Sequence, residues 1–172
     1  MKHIPVLLLT LLLGVTAAIA REAPSPAASI QFELQQDART WIPAHSKADR
    51  QGLVQDFVPE GHDLKSWEEM LTRQVLFTKV PLRKFVNNWH RMLIRADRKH
   101  RYAETTDENG AIIAEYQVPS AKDTGIRKFI QGPDGIYMLA YQVRPTSLDD
   151  DNYKTWKQII TTATLVGNDA AP

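Results

Sequence analysis

The sequence predicts an α+β fold, a mainly antiparallel sheet of about six to seven strands packed by two amphipathic helices into an α/β sandwich. Three observations carry this expectation. Two pairs of strand-like runs are joined by tight turns, Asp107-Glu108-Asn109-Gly110 and Gly132-Pro133-Asp134-Gly135, and Asn-Gly between such runs is a strong hairpin signal. Two segments repeat apolar residues at helical spacing on one side only, and such helices must bury that stripe against another element. Near the start, Ser29-Ile30-Gln31-Phe32-Glu33-Leu34 alternates with period two, as a half-buried strand does.

In chain order, Met1 to Ala20 comes first. Lys2 and His3 precede an apolar run from Ile4 to Val15, and Ala18-Ile19-Ala20 closes the stretch before Arg21. That is the three-part pattern of a secretory signal peptide over 1–20. The run is short of the about 20 apolar residues a membrane helix needs. With no cysteine in the chain, a lipid anchor on a cysteine after the cleavage point is excluded, as are thiol catalysis and thiolate metal sites. The expected address is periplasmic or secreted. Residues 21–28, rich in proline and small side chains, read as a flexible leader, 29–166 as a single domain, and 167–172 as a frayed tail.

Beyond the first strand, 36–52 is polar, contains Pro43 and Gly52, and is expected to be a loop holding Trp41. Leu53 to Val58 is a strand candidate stopped by Pro59 and Gly61. Ser66 with Glu69 has the spacing of a capping box and predicts a short helical turn, after which Val75-Leu76-Phe77 continues as strand. Pro81 opens the clearest helix, where its missing N–H costs nothing. Leu82, Phe85, Val86, Trp89, Leu93 and Ala96 form its apolar stripe from 82 to about 98. Strands follow over 101–105, 111–118, 126–131 and 136–143. Asp149-Asp150-Asp151 leads into a last helix with Tyr153, Trp156, Ile159, Ile160 and Ala163 on one face.

Charge narrows the function classes. The chain has 21 Lys and Arg against 20 Asp and Glu, and of these only Lys2 lies in residues 1–20, so the exported part is balanced. A general nucleic-acid binder would carry a strong basic excess, and no nucleic-acid partner is expected. No transmembrane segment is expected after signal cleavage. Locally the balance breaks. Arg83, Lys84, Arg91, Arg95, Arg98, Lys99 and Arg101 face a single acid, Asp97, across 83–101. Helical spacing aligns Lys84, Arg91, Arg95 and Arg98 opposite the apolar stripe. They form a basic patch suited to weak contact with anionic lipid headgroups, a phosphorylated glycan or an acidic protein. The other reading is the solvated back of a helix, partly neutralised by Asp149 to Asp151 or by Asp107 and Glu108.

The segment from Pro59 to Gln74 holds Pro-x-Gly and then Trp-x-Glu-Met-x-Thr-x-Gln, here Pro59, Gly61, Trp67, Glu69, Met70, Thr72 and Gln74. On these residues, and on the Gly132-Pro133-Asp134-Gly135-Ile136-Tyr137 turn, the chain resembles a group of small exported bacterial proteins. The likeness implies no activity. The fold is similar to the small α/β sandwiches of photosystem accessory proteins.

A ligand or partner surface can be built from Trp67, Glu68 and Gln74 with His62, against the reading that these residues only plug and cap the sheet. The histidines outside residues 1–20, His45, His62, His90 and His100, form no His-x-x-x-His or His-Glu-x-x-His pair, so no metal and no cofactor are expected. His62 near Glu60 and Asp63 is the one cluster resembling a general base with an orienting carboxylate. No Gly-x-Ser-x-Gly elbow and no glycine-rich phosphate loop occur. The expectation is therefore a non-catalytic accessory or binding protein of the bacterial cell envelope, contacting an envelope protein or small ligand. The alternative is a small periplasmic hydrolase using His62 with Glu60, Asp63 or Glu69.

Overall fold

The computed structural model describes residues 25–33, 37–144 and 150–167. The expected signal peptide, the first half of the leader, Leu34, Asp149 and the tail beyond Gly167 lie outside those residues. Within them the elements run β1 (Ala28–Gln31), β2 (Trp41–Asp49), β3 (Gly52–Pro59), β4 (Glu69–Phe77), α1 (Leu82–Ala96), β5 (Arg101–Thr106), β6 (Ile112–Val118), β7 (Asp123–Gln131), β8 (Gly135–Val143), α2 (Asp150–Thr162) and β9 (Thr164–Gly167). Seven strands form one antiparallel sheet in the order β2-β3-β4-β8-β7-β6-β5, and β1 pairs with β9 in a second, two-stranded sheet. The α+β expectation holds, and the sheet is antiparallel throughout.

Alternation along β8 shows how the layers form. Tyr137, Leu139, Tyr141 and Val143 point to the core shared with α2 and β1, where Trp156, Ile159 and Ile160 complete the packing. Ile136, Met138 and Ala140 point the other way, to a smaller cluster closed by Val86 of α1. Every residue of β8 is buried, since a central strand covered on both faces gains from apolar side chains at nearly every position, Gln142 being the polar exception. Burial of each large apolar side chain contributes about 1.5–3 kcal/mol.

Turn chemistry fixes the register around β4. Gly135 has φ +152°, and a Cβ placed there would lie 2.0 Å from the Leu76 carbonyl oxygen. Asp134 in the same turn accepts the Ala27 backbone N–H at 2.5 Å and the Tyr137 hydroxyl at 2.7 Å. The Gly-Pro-Asp-Gly turn thus closes a hairpin and also ties down the start of β1.

Three local expectations are corrected. The loop read over 36–52 contains β2, an edge strand with a bulge between Pro43 and His45. No helical turn begins at Ser66, since Asp63 takes the capping role and Glu69 already belongs to β4. Ala28, placed in the flexible leader, is buried in β1 opposite Gly167.

Candidate functional site

The segment between β3 and β4 is an ordered turn built by one carboxylate. Asp63 accepts the backbone N–H groups of Lys65 and Ser66 and the Ser66 hydroxyl, each at 2.8 Å. The Ser66 hydroxyl and these backbone donors hold its carboxyl below the ordinary value. His62 Nδ1 lies 3.3 Å from the Ser66 carbonyl oxygen. A carbonyl only accepts, so Nδ1 carries the proton there. Asp63 is turned toward Ser66, and no carboxylate among the described residues makes a hydrogen bond or ion pair with His62.

Of the other sequence candidates, Trp67 and Glu68 immediately precede β4 and Gln74 lies within it. Trp67 packs its ring under the Arg144 guanidinium, 4.6 Å from the ring centre, and the Glu68 carbonyl accepts the Arg144 backbone N–H at 2.9 Å. Gln74 pairs with Val54 on one side and Met138 on the other, about 20 Å from Glu68 at the rise of an extended strand. These residues do not form one cluster. Two motif residues have firm structural duties instead. Thr72 donates its hydroxyl to Asp56 at 2.6 Å, and Glu69 enters a buried network.

That network was not visible in the sequence. Asp37, its side chain 4% exposed, accepts Arg39 Nη2 at 2.7 Å, Trp156 Nε1 at 2.9 Å and Trp41 Nε1 at 3.2 Å. Arg39 reaches on to both Glu69 carboxylate oxygens, at 2.7 and 2.9 Å, and Glu69 also accepts the Tyr141 hydroxyl at 2.5 Å. Tyr141 and Trp156 stack face to face with centres 4.9 Å apart. Burial alone would raise the Asp37 carboxyl, but the hydrogen bonds and charge of Arg39 outweigh it and hold it below the ordinary range. Burial and the Glu69 carboxylate push the Tyr141 phenol well upward. Donors and acceptors are matched here, as a buried charge requires. The arrangement is a staple joining residues 37–41, β4, β8 and α2.

An unmatched cation lies nearby. The Arg73 side chain on β4 makes no hydrogen bond or ion pair with any described residue, and the residue is half-buried where two clefts meet beneath β1. The larger cleft, about 740 Å³, is lined by Ser29, Gln31, Glu33, Arg73, Thr162 and Thr164. The smaller, about 230 Å³, adds Gln55 and Gln74. Hydroxyls and amides around one guanidinium suit a small anionic group, which such a fork can bind through two hydrogen bonds. This pocket depends on the β1–β9 pairing, which no local sequence pattern signals.

No family model and no curated protein matches this chain. Its chemistry therefore rests on these residues. No group of three or more His, Asp or Glu among the described residues is arranged to hold a metal ion. No described helix is long and apolar enough to cross a membrane. Lys84, Arg91, Arg95 and Arg98 are all exposed, but α1 ends at Ala96, short of the stripe read to about 98, so Arg98 follows the helix and is not aligned on its outer face.

Proposed function

We propose that this is an exported, non-catalytic binding protein of the bacterial cell envelope, which takes a small anionic molecule in the cleft beneath β1. The observation that carries the reading is Arg73. A guanidinium half-withdrawn from water ordinarily has a carboxylate partner, and this one, unpaired among the described residues, lines open clefts whose other polar groups are hydroxyls and amides except for the Glu33 carboxylate. Gln74 and Gln55 contribute to that lining, so one member of the predicted surface takes part. Trp67, Glu68 and His62 remain at the far end of β4 as a separate contact surface for an envelope protein. Export is supported by the pattern of residues 1–20, and the periplasm or the medium is the address it implies.

The test is a thermal-shift panel of inorganic phosphate and short mono- and dicarboxylates on the full chain and on Arg73→Gln. A ligand present at 100 times its Kd adds about 2.7 kcal/mol to stability, which reads as a rise of several degrees in Tm. The rise is expected in the parent and absent in the variant. Equal shifts in both proteins, or none with any anion, would overturn the reading.

A further inference from the structure

Two of the acids that could neutralise the basic helix are committed elsewhere. Asp107 pairs with Lys128 at 2.9 Å and Asp151 with Lys154 at 3.1 Å. Asp97, inside the basic stretch, accepts the backbone N–H groups of Lys99 and Ser120. Of the seven basic residues only Arg83 forms a side-chain ion pair with a described residue, that with Glu104. Arg91 bonds the neutral Asn88 side chain. Lys84, Arg95, Arg98 and Arg101 form no ion pair with any described residue, Lys99 meets Asp97 through its backbone N–H, and all five are exposed. At about 100° per residue, Lys84, Arg91 and Arg95 fall within about 40° of one another on the outer face of α1.

A second, independent observation concerns apolar exposure. Three large hydrophobic residues are exposed among the described residues, and two of them, Met92 at 62% and Ile94 at 42%, belong to this helix. Helical spacing sets them on either flank of the basic line. An acidic chain or a polyanionic glycan would be held by the charges alone and would leave both apolar side chains in water. A bilayer offers anionic headgroups and an apolar boundary in one plane, and a convex helical face fits a plane better than it fits a groove.

We propose that α1 docks on an anionic phospholipid surface, with Lys84, Arg91 and Arg95 on the headgroups, Arg98, Lys99 and Arg101 continuing the patch past the helix end, and Met92 and Ile94 at the acyl boundary. The docking face is separate from the cleft beneath β1, so each reading stands or fails alone. Each basic residue near an anionic surface tightens binding by roughly fivefold. The attraction is screened as salt shortens the Debye length from about 10 Å at 0.1 M to about 3 Å at 1 M.

The absence of cysteine makes the test direct. A polarity-sensitive dye is placed on the full chain at Met92→Cys and, as reference, at Ser46→Cys on β2. Each is titrated with phosphatidylcholine vesicles and with vesicles containing equal parts phosphatidylglycerol. The Met92 dye is expected to shift to the blue with the anionic vesicles only, to lose that shift in 1 M salt, and to leave the reference dye unmoved. Adding Arg91→Gln and Arg95→Gln should weaken the response roughly thirtyfold while leaving the fold intact. Any attachment through the apolar run of residues 4–15 is read by lipid-independent sedimentation, not by the Met92 dye. A shift that is equal in both lipids, equal at both dyes, or absent would overturn the proposal. The same shift with polyaspartate and no lipid would do so as well, by moving the surface to acidic proteins.

Discussion

Helix α2 closes Trp156, Ile159 and Ile160 to within 1% of full burial, whereas α1, the longer helix, closes only Val86 and leaves Met92 and Ile94 in water. Both pack on the same sheet, α2 against β7 and β8 and α1 against β6 and β7. The difference follows from what each face supplies. On the α2 side, β1, β4 and β8 add aromatic and aliphatic side chains around the indole of Trp156, and Asp37 satisfies its N–H. On the α1 side the cluster is smaller, and Trp89 is held partly by ring edges and by the Arg127 guanidinium, 5.0 Å from its centre. One helix therefore secures the fold, while the other is free to carry a surface.

The comparison breaks most sharply at Trp156. Trp156→Ala removes a fully enclosed indole and leaves Asp37 with one donor fewer, so a loss of at least about 3–5 kcal/mol is expected, read from the midpoint of urea unfolding. Trp89→Ala should cost about 2 kcal/mol, since a half-buried ring leaves a shallower void that water can fill. Similar costs for the two substitutions, from parallel denaturation curves, would show that the faces are equally important to stability.

How much of this was legible in sequence depends on whether the determinant was local. Both helices, both hairpins and the strand at 53–58 follow from periodicity and turn residues within short windows. β2 escaped because it is an edge strand with solvent on part of both faces. Its His45, Ser46 and Lys47 show no alternation, and the bulge after Pro43 resets the period. The Ser66–Glu69 spacing imitated a capping box, but Glu69 was required by Arg39 and Tyr141, which lie 30 and 72 residues away. The candidate cleft needed the pairing of Ile30 with Leu165, a contact between chain ends that no window contains. Arg73 carries no local signal for that reason. The basic patch was legible as a pattern, but its lack of acidic partners was a property of the folded surface.

Acid titration should separate the two faces by pH. On the α1 side His90 stacks on Tyr102 with centres 3.8 Å apart, and its Nε2 lies 3.1 Å from that of His100. Burial first, and then the charge of His100, lower its pKa below 6.5, while Glu104 opposes them. The unfolded chain therefore takes up this proton before the folded one does, and stability falls as pH drops below about 6.5. On the α2 side the depressed Asp37 carboxyl contributes its full stabilisation above its unfolded value of 3.8 and loses it only as pH falls further. The histidine and tyrosine ring signals of the His90–Tyr102 stack should thus change in NMR spectra as pH falls below 6.5, while the indole N–H of Trp156 stays protected until below pH 4. His90→Gln should flatten the first phase and Asp37→Asn part of the second. Loss of both sets of signals in one transition would mean that the sheet couples its two faces too tightly for α1 to act as an independent surface.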